Sequence, residues 1–192
     1  MTQQQRTPDS PLTRTQILVA MGVTAVILLL VTKLWLHFAA LSLFSWSWTV
    51  EALPLGLSLG LAITAASALI YRLWPGYRRS ADFYIEFVLQ PLMWPDIIWL
   101  GLLPGLSEEL LFRGVMLPAF GLGLAAVVIS SLCFGVLHLS SVEHWPYGVW
   151  ATIVGLLLGY SALYTGNLLV PIVAHIFTNL VSSCFWKLGR TA

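Results

Sequence analysis

Five ionisable side chains and one asparagine amide lie in three short motifs inside otherwise apolar runs of this chain. The motifs are GLSEELLFRG with Glu108, Glu109 and Arg113, FGVLH with Phe134 and His138, and HIFTN with His175 and Asn179. An ionisable group at the centre of a bilayer costs about 2.5–3.5 kcal/mol even on insertion scales, so such groups are paired, functional or both. Together the motifs supply carboxylates, imidazoles and an amide, the groups used in general acid–base catalysis and oxyanion binding.

The two adjacent glutamates of the first motif have different predicted partners. Glu109 and Arg113 are four residues apart, so they can pair along one helix face. Glu108 points about 100° around the helix from Glu109 and is left without that partner. Pairing therefore explains one carboxylate and not the other. Pro104 and Gly105 lie just upstream and could bend the helix, which would open space near Glu108.

Each histidine motif has a structural alternative when it is taken alone. His138 follows Phe134 by four residues near a helix end, where a lone histidine is usually an interfacial hydrogen-bonding group. His175 and Asn179 share a helix face and could clamp two helices together, as such residues often do in membranes. The occurrence of all three motifs in separate helices favours a site at which a carboxylate, two imidazoles and an amide converge.

Composition indicates the kind of fold that positions these groups. Hydrophobic residues make up 58% of the chain and charged residues 9%, with a mean hydropathy of +0.87, against about 45–50% and 25% in soluble domains. Six apolar runs are long enough to span a membrane, near residues 16–38, 52–73, 97–117, 121–140, 147–165 and 168–188. The predicted fold is an all-α polytopic membrane protein of about six transmembrane helices, with the active site inside the helix bundle.

The apolar runs divide the chain into three predicted parts. Residues 1–15 form a polar cytoplasmic tail, residues 16–96 contain two transmembrane helices and a possible interfacial segment, and residues 97–188 form a catalytic core of four transmembrane helices. The segment 76–95 is amphipathic, and we interpret it as a connector on the cytoplasmic surface, with an interfacial helix as the alternative. Asp96 is placed to cap the helix that follows it.

Charge indicates orientation and excludes one class of partner. With the N-terminus inside, seven of the nine Lys and Arg residues lie on the cytoplasmic side: Arg6, Arg14, Arg72, Arg78, Arg79, Lys187 and Arg190. This bias predicts that both termini are cytoplasmic, in the inner membrane if the source is bacterial. The formal net charge is only +1, so no nucleic-acid partner is expected. The predicted partners are the lipid bilayer and a membrane-associated protein or peptide.

The three motifs and their flanks resemble those of the CAAX protease and bacteriocin-processing (CPBP, or Abi) family of intramembrane proteases. That family includes prenyl-protein endopeptidases of the glutamic type, and its patterns EExxxR, FxxxH and HxxxN occur here in order. The flanking sequences LFRGVMLP, SSLCFGVLHLS and GLLLGYSALYTGNLLVPIVAHIFTN are also similar to the family's. The resemblance covers roughly residues 97–183 and is specific, because three spaced motifs are much harder to match by chance than one.

This resemblance implies an intramembrane endopeptidase that hydrolyses a peptide bond with an activated water and without an acyl-enzyme. Glu108, helped by His138, would deprotonate the water, and His175 with Asn179 would bind the oxyanion. The other motif residues would have structural or gating roles: Glu109, Arg113 and Phe134. Candidate substrates are a prenylated CaaX-like tail, the leader of a secreted peptide, or the C-terminal anchor of a membrane protein.

Other mechanisms and another class of protein stay open. Two carboxylates and two histidines could bind zinc, but an HExxH helix is absent, so we predict no cofactor and rank zinc second. Ser107 or Cys133 could act as a nucleophile, although both are more simply core residues. A non-catalytic membrane scaffold or immunity protein is the alternative from another class. A transporter fits less well because the chain has no inverted repeat.

Overall fold

The chain folds into a bundle of helices. A computed structural model describes residues 12–191, with side chains through residue 189, and this part contains no β-strand. The α-helices are α1 Arg14–Phe38, α2 Ala52–Leu73, α3 Pro75–Leu89, α4 Ile97–Glu109, α5 Met116–Ala119, α6 Leu124–Leu137, α7 Trp145–Thr165 and α8 Leu169–Thr191. A π-helical segment, Leu110–Val115, joins α4 to α5. The predicted all-α fold is confirmed.

The predicted apolar runs all coincide with helical structure. Four helices are long and apolar enough to cross a membrane: Arg14–Phe38, Ala52–Leu73, Val142–Thr165 and Leu169–Gly189. The stretches Pro75–Leu89 and Trp94–Ala119 are bent by 109° at a short break, and counting them as one span gives five. Helix α6 has only 14 residues, about 21 Å, which is shorter than the ~30 Å hydrocarbon core. The chain is therefore a polytopic membrane protein, with four or five candidate spans where about six were predicted.

The predicted division into tail, first helices and catalytic core stays a prediction. Residues 1–11 of the tail, among them Arg6, lie outside the described part, as does the side chain of Arg190. Helix α1 begins at Arg14, after a capping box in which Thr13 and Gln16 bond each other's side chains and backbone.

Asp96 pairs with α1 and does not cap α4. Its two carboxylate oxygens accept hydrogen bonds from the Arg14 guanidinium, each 2.7 Å long, and one also accepts the backbone N–H of Met93. Asp96 occupies the N-cap position of α4 but makes no side-chain capping bond to that helix. The predicted capping role is wrong, because Arg14 and Met93 already bind the carboxylate. This pair joins the beginnings of α1 and α4.

Helix α8 packs closely against both α2 and α4. Gly56 of α2 lies so close to α8 that a Cβ there would be 2.6 Å from the Cβ of Val173. Gly105 of α4 lies against Ile176 in the same way. Such small residues let helix backbones approach each other in membranes. The contact with α4 brings the third motif next to the first.

Two carbonyls of the π-helical segment are bonded to groups outside the helix. Pro118 has no N–H to offer the carbonyl of Gly114, four residues earlier, and the backbone N–H of Phe44 donates to that carbonyl at 2.8 Å. The carbonyl of Phe112 accepts the hydroxyl of Ser130, on α6, at 2.7 Å. The segment is thereby fixed to the α1–α2 loop and to α6. Single π-helical turns often occur at functional sites, and this one begins directly after Glu109.

The α1–α2 loop also binds the turn between α7 and α8. The backbone N–H of Leu168 donates to the carbonyl of Ser45 at 2.9 Å. The side-chain amide of Asn167 accepts the N–H of Ser47 and donates to its carbonyl, at 3.1 and 2.8 Å. The loop therefore closes one end of the bundle.

Candidate active site

Three motif side chains from three helices meet at one point in the bundle. Oε2 of Glu108, on α4, lies 3.8 Å from Nε2 of His138, at the end of α6. The same oxygen lies 3.9 Å from Nε2 of His175, on α8. The predicted convergence of a carboxylate and two imidazoles is present in the structure.

Oε2 of Glu108 is a buried acceptor that faces the two imidazoles. The Glu108 side chain is 15% exposed, and among the described residues its buried Oε2 has no hydrogen-bond partner. The separations of 3.8 and 3.9 Å exceed the range of a direct hydrogen bond, about 2.7–3.2 Å. A water about 2.8 Å from each atom would fit these separations, with an angle of about 90° at its oxygen.

Hydrogen bonds on the far side of each ring define which nitrogen faces Glu108. Nδ1 of His138 lies 2.8 Å from the backbone carbonyl of Phe134. A carbonyl only accepts, so this Nδ1 carries the hydrogen and Nε2 of the neutral ring is an acceptor. Nδ1 of His175 lies 2.7 Å from Oε1 of Glu109. Both rings are therefore held from behind, with Nε2 directed at Glu108.

The predicted pairing of Glu109 with Arg113 is confirmed. Oε1 of Glu109 lies 2.7 Å from a guanidinium nitrogen of Arg113, and both side chains are 0% exposed. Arg113 also donates to the carbonyl of Gly155, on α7, at 3.0 Å. The contact of Glu109 with His175 was not predicted, because the two residues are 66 positions apart and nothing in their local spacing relates them.

Phe134 is the buried side chain around which the motifs are arranged. It is 3% exposed, and its ring centroid is 4.3 Å from that of His138 and 6.0 Å from that of His175. The guanidinium carbon of Arg113 lies over the same ring at 4.7 Å, a cation–π arrangement. Phe134 thus contacts both the His138 imidazole and the guanidinium of the buried ion pair.

The amide of Asn179 faces the backbone of α4. Its Nδ2 lies 3.5 Å from the carbonyl of Leu100, a long hydrogen bond. Pro104 follows Leu100 by four residues and has no N–H for that carbonyl. Asn179 is one turn beyond His175 on α8, about 6 Å along the axis. The structure therefore places Asn179 beside the proline-interrupted part of α4, on the same face as His175.

The two alternative nucleophiles lie outside this convergence. Ser107 is 2% exposed, as expected of a core residue, and its hydroxyl donates to the carbonyl of Leu103 at 2.7 Å. Cys133 is exposed, so its interpretation as a core residue is wrong: its position on α6 faces outward. For the zinc alternative, the described residues contain no group of three or more His, Cys, Asp or Glu side chains that could hold a metal ion.

A largely apolar cleft of about 240 Å³ borders Glu108. Its walls are Met21 and Thr24 of α1, Phe87 of α3 and Pro104 of α4, among others. Sequence reasoning did not assign α1 or α3 to the site. The residues that they contribute to the cleft are mostly apolar, and in a sequence an apolar residue that lines a cleft looks the same as one that faces lipid.

Comparison with known proteins agrees with the motifs. Residues 90–181 match the family model described as type II CAAX prenyl endopeptidase, Rce1-like, and this stretch contains all seven motif residues. The chain is 31% identical over 129 residues to the uncharacterized protein YpbD of Bacillus subtilis (strain 168), covering 67% of this chain and 66% of YpbD. It is 36% identical over 87 residues to the uncharacterized protein YyaK of the same organism, covering 41% of this chain and 29% of YyaK.

The chain thus spans slightly under two thirds of the first relative, YpbD, and under a third of the second, YyaK. No solved structure matches the chain.

Proposed function

We propose that the chain, whose residues 90–181 match the Rce1-like model of type II CAAX prenyl endopeptidases, is an intramembrane endopeptidase of the glutamic type. The observation that carries the proposal is the position of Glu108 Oε2, 3.8 and 3.9 Å from two imidazole Nε2 atoms. These atoms frame a position from which a water can be activated.

In the proposed reaction, a water between Glu108 and His138 donates one hydrogen to Oε2 and the other to Nε2. Glu108 removes a proton as the water oxygen attacks the peptide carbonyl carbon, which gives a tetrahedral oxyanion. Collapse of this intermediate breaks the C–N bond, and the proton held by Glu108 passes to the departing amine. The products are a new amine and a new carboxylic acid, which ionises by releasing the second hydrogen of the water to solvent, with no covalent enzyme intermediate.

His175 and Asn179 are the proposed donors to the oxyanion. His175 donates from Nε2 when that nitrogen carries a proton, and the carboxylate of Glu109, 2.7 Å from Nδ1, stabilises the resulting positive charge. Arg113 binds the same oxygen of Glu109, Oε1, and so helps to hold the carboxylate in place. Asn179 would need its amide to turn from the Leu100 carbonyl toward the intermediate, and the long bond of 3.5 Å opposes this only weakly.

We propose a membrane-associated protein or lipidated C-terminal tail as the substrate. The apolar cleft beside Glu108 suits apolar groups next to the scissile bond, and its walls on α1 and α3 make it reachable from the side of the bundle. Both termini are proposed to be cytoplasmic, on the basis of the Lys and Arg distribution.

The proposal is tested by comparing cells that contain the wild-type chain with cells that contain Glu108→Gln. Mass spectrometry of membrane-protein termini should find new cleavage products only with the wild-type chain, and the purified chain in liposomes should reproduce the cut. Ser161→Ala is the matched control, because this hydroxyl of α7 also donates to a backbone carbonyl, that of Leu158, and does not line the cleft, so it should cleave normally. Identical termini in wild-type and Glu108→Gln cells would favour the non-catalytic scaffold.

A further inference from the structure

Tyr84, on the amphipathic helix α3, is bonded to the loop that follows His138. Its hydroxyl accepts the backbone N–H of Ser140 at 2.8 Å and donates to the hydroxyl of the same residue at 2.8 Å. Ser140 comes two residues after His138. The backbone immediately beyond the imidazole is therefore fixed by a side chain from another helix.

The ring of Tyr84 also packs against the far end of this loop. Its centroid lies 5.3 Å from that of His144 and 4.4 Å from that of Tyr147. Phe83, its neighbour on α3, stacks on His144 at 4.2 Å. Tyr147 in turn lies 6.3 Å from the ring of His138. Residues 138–147 thus wrap around Tyr84.

His138 lies where α6 ends, directly before the loop that is bonded to Tyr84. It occupies the C-cap position of that helix, and its ring nitrogen Nδ1 bonds the Phe134 carbonyl one turn back. Its side chain is 26% exposed, more than that of Glu108 or His175. A displacement of about 1 Å at a reacting group can lower a rate about 10²-fold. Movement of the loop would therefore alter the position of His138 Nε2 relative to Glu108.

We propose that Tyr84 is a positioning residue that holds His138 Nε2 against Glu108 by clamping the loop 138–144. Helix α3 is then part of the active site, whereas its sequence alone favoured a connector on the surface. One turn further along, Phe87 of the same helix borders the cleft beside Glu108. The structural role of Tyr84 is independent of the proposed function, and only its expected effect on cleavage rests on that function.

The clamp is tested first without reference to cleavage. Tyr84→Phe removes only the hydroxyl and leaves the ring in place. Tyr164→Phe is the matched control, since that tyrosine is 79% exposed and stacks on Tyr160. In hydrogen exchange of the detergent-solubilised protein, amides of segment 138–144 should exchange about tenfold faster in Tyr84→Phe, as expected for loss of a hydrogen bond worth about 1.4 kcal/mol. Unchanged exchange would overturn the clamp.

The kinetic consequence is tested with a double-mutant cycle. Tyr84→Phe should lower kcat about tenfold with KM unchanged, because the cleft is untouched. In a His138→Ala background, the same substitution should have no further effect on single-turnover cleavage, since Tyr84 acts through His138. An equal loss in both backgrounds, or a wild-type kcat, would overturn the positioning role. If the wild-type chain cleaves nothing, the proposed function fails, and hydrogen exchange still decides the clamp.

Discussion

Glu108 and Glu109 are adjacent on α4, but Glu108 faces two imidazoles and Glu109 is paired with Arg113. Substituting each one should therefore separate effects on cleavage from effects on stability. Glu108→Gln should abolish turnover, because Glu108 is the one carboxylate paired with His138 Nε2 among the described residues, while the melting temperature stays near wild type. Glu109→Gln should act mainly on folding: it leaves Arg113, which is 0% exposed, without its charge partner. Breaking a buried pair costs about 3–5 kcal/mol.

Thermal melts and single-turnover cleavage on the same purified variants check both expectations. A Glu108→Gln protein that still cleaves would contradict the general-base role. A Glu109→Gln protein with wild-type stability would show that the buried pair is dispensable for folding.

Metal analysis tests the choice between an activated water alone and a zinc-bound water. We expect purified protein to contain no stoichiometric zinc and to keep its cleavage activity after incubation with a chelator. Zinc that is bound tightly, removed together with activity and restored together with it would make the metal mechanism correct.

Local spacing in the sequence predicted the Glu109–Arg113 pair but not the contact between His175 and Glu109. The i, i+4 spacing of Glu109 and Arg113 defined their pairing, because a helix brings such residues together whatever surrounds it. The bond from His175 to Glu109 joins α8 to α4, so it depends on helix packing that spacing does not encode. Tyr84 was missed for the same reason: 56 positions separate it from Ser140.

At the scale of helices, substitutions of Asn179 and Pro104 test whether the Asn179 amide donates to the oxyanion. Asn179→Ala should lower kcat about 10²–10³-fold with little change in KM if the amide donates to the transition state. In the alternative role, the Asn179 amide only donates a hydrogen bond to the Leu100 carbonyl. That carbonyl has no donor from its own helix, because Pro104 lacks an N–H. Adding Pro104→Ala supplies the missing backbone N–H.

The two roles give different results in the double variant, measured by melting temperature and kcat. A structural clamp predicts that Pro104→Ala restores both the stability and the activity lost in Asn179→Ala. The oxyanion role predicts that kcat stays low even where stability recovers. Wild-type cleavage by Asn179→Ala alone would remove the oxyanion role.

Helix positions could be predicted from the sequence because apolar runs are long and turn residues punctuate them. The beginning of α6, at Leu124, follows two glycines, one of which has a φ of +93°, a conformation that favours glycine. The π-helical segment was not predicted, since a single extra residue per turn does not interrupt an apolar run. Pro118, four residues after Gly114, was the available signal that a carbonyl there needs another donor.

At the scale of the whole molecule, the helices that supply the candidate site can be compared with the stretch that matches the family model, residues 90–181. The Glu108, His138 and His175 side chains come from α4, α6 and α8, all reached by residues 90–181. Most of the cleft wall, and the Tyr84 side chain proposed to clamp the loop, come from α1 and α3, which precede that stretch. The proposed reacting groups thus lie in the matched region, and the groups that would select substrate lie largely outside it.

The orientation of the molecule is tested by thiol labelling in a background with Cys133 and Cys184 replaced by alanine. Ser47→Cys and Tyr164→Cys should react with an impermeant reagent in intact cells, because both positions are exposed at the end of the bundle closed by the α1–α2 loop. Arg79→Cys, on α3, should react only after the membrane is permeabilised. The reason is the predicted cytoplasmic location of the basic residues. The reverse pattern would place α3 and the His138 loop on the outer side, and the proposed cytoplasmic location of both termini would then be wrong.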